Sequence, residues 1–233
     1  MILAINTSTT QFSIALLRIT GDVTAEYLIA PGEKNFRTFM PAVYSVFDAC
    51  GRDIRDLKTV AVVTGPGSFT GLRVGLSMAK GVTQGLGIPI IGVSSLEAMA
   101  NQMPFTKLPV CTLMSSRRGE IIFAVFKWDD AKGMTRLTED RSVVFGDLAG
   151  FIKGPAFFLG NNFTAQEPEI RKLLKGNAIT APSHLWNIRA STVGVLGLKR
   201  FTANDFDSIT DLVPEYLRPP DIRADPFALN PSL

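Results

Sequence analysis

The segment "TVAVVTGPGSFTGLRVGLSMAKG", Thr59–Gly81, decides how the rest of the chain is read. A β-branched run, Thr59–Thr64, is followed by three glycines within seven residues (Gly65, Gly67, Gly71) and then by apolar residues at helical spacing. That order predicts a buried strand, a tight loop and a helix over Leu72–Leu86. A Walker A loop needs Lys and then Ser or Thr after its last glycine, to reach phosphates and Mg²⁺. Leu72 and Arg73 stand there instead. A dinucleotide fingerprint needs G-x-G-x-x-G, and "GPGSFTG" is one residue too long. Two readings remain. The helix N-terminus, capped by Ser68 or Thr70, holds an anion, or the glycines let the backbone turn and pack closely.

Outward from this segment, strands are expected at Ile2–Asn6, Phe12–Arg18 and Val23–Ala30. A helix is expected over Arg37–Cys50 with Gly51 closing it, then a strand at Pro89–Val93 and a helix from Ser94, where Ser94 and Glu97 form a capping-box pair. "NQMPFTKLP" (Asn101–Pro109) carries two prolines and marks a boundary. Beyond it the order restarts: strands at Val110–Met114, Glu120–Trp128 and Thr135–Val144, a helix near Asp147–Ile152, a strand at Ala156–Leu159 and a helix at Ala165–Leu174. A helix over Asn187–Phe201 and a Pro-rich tail, expected to be poorly ordered, follow. The expected division is 1–103, 104–218 and a tail over 219–233. Three strands followed by alternating helix and strand, given twice, is the element order of the duplicated ribonuclease-H-like lobes of the actin-like ATPase superfamily.

Composition narrows the chemistry. The 233 residues are 46% hydrophobic and 19% charged, as in an ordinary globular protein. No run of about 18 apolar residues suggests a membrane span, and the start "MILAINTSTT" reads as a strand without a basic leader. Two distant cysteines, Cys50 and Cys111, suit the reducing cytoplasm, which is the expected location. The net charge of +3 includes no basic run resembling a nucleic-acid-binding arm. His184 is the single histidine, so neither a His-rich metal site nor a Ser-His-Asp triad can be assembled around it without further partners. No metal and no cofactor are expected. In actin-like folds an aspartate on the first strand of each lobe serves the nucleotide site, whereas here Asn6 and Ser115 stand in those places and carry no charge for Mg²⁺. Thr7, Ser8, Gly67, Ser68 and Thr70 remain as weak anion or nucleotide candidates.

The glycine segment with "GIPIIGVSSLEAMA" (Gly87–Ala100), "RRGEIIFAVF" (Arg117–Phe126) and "PEYLR" (Pro214–Arg218) resembles the TsaB (YeaZ) family of the bacterial tRNA threonylcarbamoyladenosine machinery. The likeness runs from Met1 to Arg218 and is most specific at the glycine loop and its helix. It implies a non-catalytic relative of TsaD, the subunit that transfers threonylcarbamoyl to adenosine 37 of tRNA. It also implies pairing with a TsaD-like subunit or with a second copy through the first lobe, a TsaE-like ATPase in the larger complex, and tRNA reached through that complex. The label "glycoprotease" attached to such proteins fits poorly with one histidine. The chain departs from the family pattern at Asn6, where Asp is usual, at Ser115-Ser116-Arg117, where Asp-Ala-Arg is usual, and at Asn35–Met40, which lacks a His-Ser pair. On this reading the glycine loop shapes a helix for packing and does not serve catalysis.

Helical spacing bears on the partner separately. At about 100° per residue, the apolar or small residues of each first-lobe helix span an arc of roughly 220°, wider than the roughly 100° that covering a sheet requires. The surplus is buried either within the lobe or against another subunit, and the resemblance implies the second. The interface candidates are Phe36, Phe39, Met40, Tyr44 and Phe47 on one helix and Gly71, Gly75, Met78, Ala79 and Val82 on the other. The rival reading is an ATP-binding kinase or phosphotransferase of the actin-like superfamily.

Overall fold

A computed structural model describes residues 1–29, 38–117 and 119–216. Strands β1 (Ile2–Asn6), β2 (Phe12–Leu17) and β4 (Thr59–Gly65) are buried along their whole length, as continuous apolar runs at the middle of a covered sheet should be. β3 (Val23–Ile29) is partly exposed and occupies one edge; β5 (Ile90–Ser94) closes the other. The sheet order is β3-β2-β1-β4-β5, with β1–β3 antiparallel and β1, β4 and β5 mutually parallel along the path.

The second sheet repeats the plan around β6 (Val110–Ser115), β7 (Glu120–Asp129), β10 (Ala156–Gly160) and β11 (Ala178–Thr180). β6 and β7 are antiparallel, while β6, β10 and β11 run parallel. The strand expected at Thr135–Val144 is instead two strands, β8 (Gly133–Arg136) and β9 (Arg141–Val144), which pair with successive parts of β7. Between them the Thr138 hydroxyl takes the Val125 N–H (3.0 Å) and Arg136 pairs with Asp140, so the chain leaves the ladder and rejoins it. The helix expected near Asp147–Ile152 is a 3₁₀ segment over Phe145–Phe151 that buries only Leu148. The two mixed sheets make an α/β fold of duplicated, ribonuclease-H-like plan.

Among the described residues, five α-helices complete the layers. α1 (Phe39–Ala49) and α2 (Phe69–Leu86) cover the outer face of the first sheet over a core that includes Leu3, Ile5, Ile14, Phe47 and Leu76. α3 (Ser95–Ala100) and α5 (Ala190–Thr202) lie on its other face, within a second core continuous with the second sheet. α4 (Phe163–Leu174) packs on β10 and β11. Helix ends follow local chemistry: Ser68 caps α2, Ser94 caps α3, and Gly87 ends α2 at φ 63°. The sheets divide between α3 and β6, but the chain after Ile188 does not stay with the second sheet. α5 packs on β1, β2, β4 and β5; Asp207 accepts from the Gly92 N–H (2.7 Å), and the Glu215 N–H donates to the Thr64 carbonyl (2.8 Å). The reason is burial: both sheets need the apolar layer that α3 and α5 supply between them. The expected tail over 219–233 lies outside the described residues.

α2 sits unusually close to the loop after β1. A Cβ added to Gly71 would overlap the Thr7 carbonyl oxygen, and one added to Gly75 would overlap the Thr7 hydroxyl. Gly81, on the same helix, faces open space. Opposite outcomes are therefore expected from one chemical change. Gly71→Ala should destabilise the chain by about 1–3 kcal/mol through overpacking. Gly81→Ala should stabilise it by about 0.5–1 kcal/mol through helix propensity. Urea denaturation of both variants checks the pair, and equal effects would contradict the close approach.

Candidate functional site

The glycine loop is closed by the chain itself. Thr7 and Ser8 are buried, Gly67 lies against Ser8, and the Ser68 N–H donates to the Ser8 carbonyl (2.7 Å). The Ser68 hydroxyl accepts from the Gly71 N–H (3.3 Å), and Thr70 is exposed on the first turn of α2. Two donors that could have met an anion, the Ser68 and Gly71 N–H groups, are thus used on the protein's own oxygens. Thr7, Ser8, Gly67, Ser68 and Thr70 do not assemble into an open pocket, because the close seat of α2 on the β1 loop fills that space.

Asn6 explains its own departure from aspartate. Its Oδ1 accepts from the Ser8 N–H (3.0 Å) and hydroxyl (2.7 Å), while its Nδ2 donates to the Ile188 carbonyl (3.1 Å). The site is buried, and a carboxylate would set an oxygen against the Ile188 carbonyl in place of that donor.

A cleft of about 670 Å³ opens between the β1–β2 turn and the second lobe, lined in part by Thr10, Gln11, Ser115, Asn161, His184 and Asn187. Ser115 donates its N–H (2.9 Å) and hydroxyl (3.2 Å) to Asn161 Oδ1, and Gln166 Nε2 donates to the Ser115 hydroxyl (3.0 Å). Among the described residues the lining holds hydroxyls, amides, the Phe163 and Trp186 rings and one exposed imidazole, with no carboxylate, lysine or arginine. A nucleotide with its magnesium ion needs oxyanion ligands for the metal and cations for the phosphates, so these residues do not fit that group. The sequence reading missed Asn161 and Gln166. Their signal was a polar pair, Asn161-Asn162, placed between an apolar strand and a helix that Asn162 caps (3.2 Å to the Ala165 N–H).

The remaining candidates gather on the outer helices. Met40, Tyr44, Phe47, Met78 and Val82 line one groove of about 520 Å³ between α1 and α2, with Asp48, Arg52 and Asp53 at its polar margin. Arg55 pairs with Asp53 (2.7 Å) and holds its carboxyl well below the usual carboxylate range. Met40 and Tyr44 are open to solvent, Tyr44 at 66% exposure, while Met78 and Val82 are half-buried. The other candidates cannot present a surface. Phe39 is buried edge-on against Phe12 (5.2 Å), and Phe47 forms the groove floor at 6% exposure. Gly71, Gly75 and Ala79 are buried beneath α2, so the small-residue stripe serves the Thr7 contact and not a partner's backbone. Phe36 lies outside the described residues. Helical arcs separated polar from apolar, but they could not say which part of a wide apolar arc meets the helix's own sheet.

A family model described as TsaD, tRNA N6-adenosine threonylcarbamoyltransferase, matches residues 33–223. The tRNA threonylcarbamoyladenosine biosynthesis protein TsaB of Bacillus subtilis is 34% identical over 223 residues, covering 93% of each chain. This chain belongs to the TsaB family. TsaB of Haemophilus influenzae is 26% identical over 224 residues, covering 89% of this chain and 92% of that one. Among solved structures, YeaZ from Pseudomonas aeruginosa superposes with a TM-score of 0.78 at 20% identity, over 93% of this chain and 99% of that one, which shows the shared fold. Among the described residues of this TsaB-family chain, no helix is long and apolar enough to cross a membrane.

The buried neutral network gives a test with a pH sign. In Asn6→Asp the folded-state pKa should rise, because burial and the Ile188 carbonyl both disfavour the carboxylate. Protonated Asp can still donate to Ile188 and should resemble Asn. Stability should therefore fall as pH rises above about 4, the ordinary Asp value, and level off once the raised folded pKa is passed. The loss at neutral pH should be about 1–3 kcal/mol or more. Chemical denaturation of parent and variant from pH 4 to 8 measures it; a pH-independent difference would contradict the donor role of Asn6.

Proposed function

We propose that this chain is a non-catalytic scaffold subunit for threonylcarbamoyl transfer to adenosine 37 of tRNA. A TsaD-like partner would carry the chemistry, with a TsaE-like ATPase in the larger assembly. Family membership supports the pathway, since the TsaB relatives are named for tRNA threonylcarbamoyladenosine biosynthesis. The observation that carries the scaffold reading is the apolar groove between α1 and α2, where Tyr44 and Met40 remain exposed on helices already seated on their sheet. Exposed aromatic and Met side chains over a hydrophobic floor, with charges at the margin, are the composition of a protein interface. The same groove is available to a second copy, so self-pairing and partner binding compete on this reading.

The interlobe cleft argues in the same direction. Transfer chemistry needs an acid, a base or a metal at the reacting atoms. The cleft lining offers amides, hydroxyls and one solvent-exposed histidine, and among the described residues no group of three or more His, Cys, Asp or Glu side chains is placed to hold a metal. The rival kinase reading would need charged ligands in that cleft. A subunit without such groups acts by favouring the competent conformation of its partner through differential contact.

Tyr44→Asp places a charge on the exposed rim of the groove. The variant should melt within a few degrees of the parent yet assemble with the TsaD-like subunit at least about tenfold more weakly, as a desolvated unpaired charge requires. Reconstitution with threonine, bicarbonate, ATP and tRNA should lose modified adenosine in parallel. Parent-level assembly and modification by a folded variant would place the interface elsewhere. Modification by this chain without the TsaD-like subunit would overturn the non-catalytic assignment.

A further inference from the structure

Phe105 combines two unfavourable features at one position. Its ring is 77% exposed, the highest value among the large hydrophobic side chains exposed in the described residues, and its backbone sits at φ 63°. A bulky residue with positive φ is uncommon and costs on the order of 1 kcal/mol. One face of the ring rests on Trp128 (centroids 4.7 Å apart, planes at 57°), and the Trp128 indole N–H is fixed by Asp130 (3.0 Å). The aromatic pair is therefore braced from within and open outward.

Lysines stand on the segments beside it, and one of them, Lys199, is placed by contact. Gly133, in the turn after Trp128, is flanked by the Lys199 ammonium and by the Trp128 ring; a Cβ there would lie 3.6 Å from the first and 3.9 Å from the second. Lys132 precedes Gly133, and Lys107 follows Phe105 by two residues; all three lysines are exposed. None makes an ion pair with a carboxylate among the described residues, although Lys132 lies near enough to Asp129 to lower its pKa. Asp129 is occupied by the Ala131 and Lys132 N–H groups (2.9 Å each), and Asp130 by the indole. What stays open is one face of the Phe105 ring, with Lys199 beside the Trp128 turn and Lys107 and Lys132 exposed on the adjoining segments. A flat, polyanionic ligand matches both features, with a base for the ring and phosphates for the lysines.

We infer that Phe105, Trp128, Lys107, Lys132 and Lys199 form a contact surface for RNA, with an unpaired base stacking on Phe105 and neighbouring phosphates facing the lysines. This rests on the reading of the chain as a subunit of a tRNA-modifying complex. It makes the chain a direct contributor to tRNA binding, through a surface built from the Asn101–Pro109 connection, the β7–β8 turn and the end of α5, elements distinct from the α1/α2 groove.

The test uses the full chain, alone and assembled with its TsaD-like subunit. Fluorescence anisotropy is read with labelled, unmodified tRNA transcript bearing adenosine at position 37, and with a short single-stranded oligoadenylate. Phe105→Ala should weaken both interactions by about 5- to 10-fold, the lower range for one lost base stack, and Phe105→Tyr should restore them. Lys199→Gln should leave stacking in place and lower the slope of log affinity against log salt by just under one. Assembly, measured by solution size, should be unchanged in all three variants, which separates this inference from the scaffold reading. Failure of the parent to assemble would remove the scaffold reading, while RNA affinity of the isolated chain would still decide this one. Parent-level RNA affinity in both Phe105→Ala and Lys199→Gln, or absence of RNA binding by the parent in either state, would overturn it. Loss of assembly without loss of RNA affinity in Phe105→Ala would also overturn it, by assigning the surface to a protein.

Discussion

The seat of α2 on the loop after β1 is the contact on which the first lobe depends. The Thr7 carbonyl rests on Gly71, the Thr7 side chain rests on Gly75, and the Ser8 carbonyl takes the Ser68 N–H. No side chain larger than hydrogen fits at the first two points. This approach draws α2 down onto β1 and β4, buries Leu72, Leu76 and Ala79, and leaves Met78 and Val82 turned toward α1. The groove between the helices follows from that depth. A loop that resembles a phosphate cradle in sequence is drawn against the β1 loop by the Ser68 N–H bond to the Ser8 carbonyl, while the buried Thr7 hydroxyl has no hydrogen-bond partner.

The same joint makes the cleft between the lobes neutral. Asn6 at the end of β1 ties the loop to the Ile188 carbonyl, and the Ser13 hydroxyl reaches the same carbonyl (2.9 Å), so the strand end, the turn and the segment entering α5 form one buried network. Every member is an amide or a hydroxyl. Across the cleft, Ser115, Asn161 and Gln166 form a second network of the same kind. Amides and hydroxyls bond to one another on both sides of the cleft, while the Gln11 amide oxygen at its lining is buried without a partner.

Two outward surfaces remain, and their compositions differ. The α1/α2 groove is apolar with a partly paired polar margin, and the region of Phe105 and Trp128 is aromatic with unpaired lysines. Between them the return of the chain ties the lobes together: α5 lies in the shared core, and Tyr216 stacks on Phe69 (5.0 Å) while accepting from the Arg73 guanidinium (3.0 Å) at the start of α2.

The sequence by itself determined the elements whose signals are local. The apolar run at Ile2–Ile5 and the β-branched run at Thr59–Thr64, the polar turns between strands, Ser94 before its helix and Gly51 after another all act through backbone preferences and neighbouring hydrogen bonds, so they were legible without tertiary information. Short or interrupted pieces were not: the three-residue β11, and the break between β8 and β9 that Thr138 makes by taking a ladder N–H. Nor was the direction of an apolar arc, because periodicity reports that a helix has a wide face and not what covers each part of it. Only the tertiary structure turned Gly71, Gly75 and Ala79 inward and left Tyr44 outward. It alone brought Phe105 onto Trp128 and Lys199, from the end of α5, to the turn beside them. Local propensity acts over a few residues along the chain, whereas burial and charge are set by what the fold places beside them.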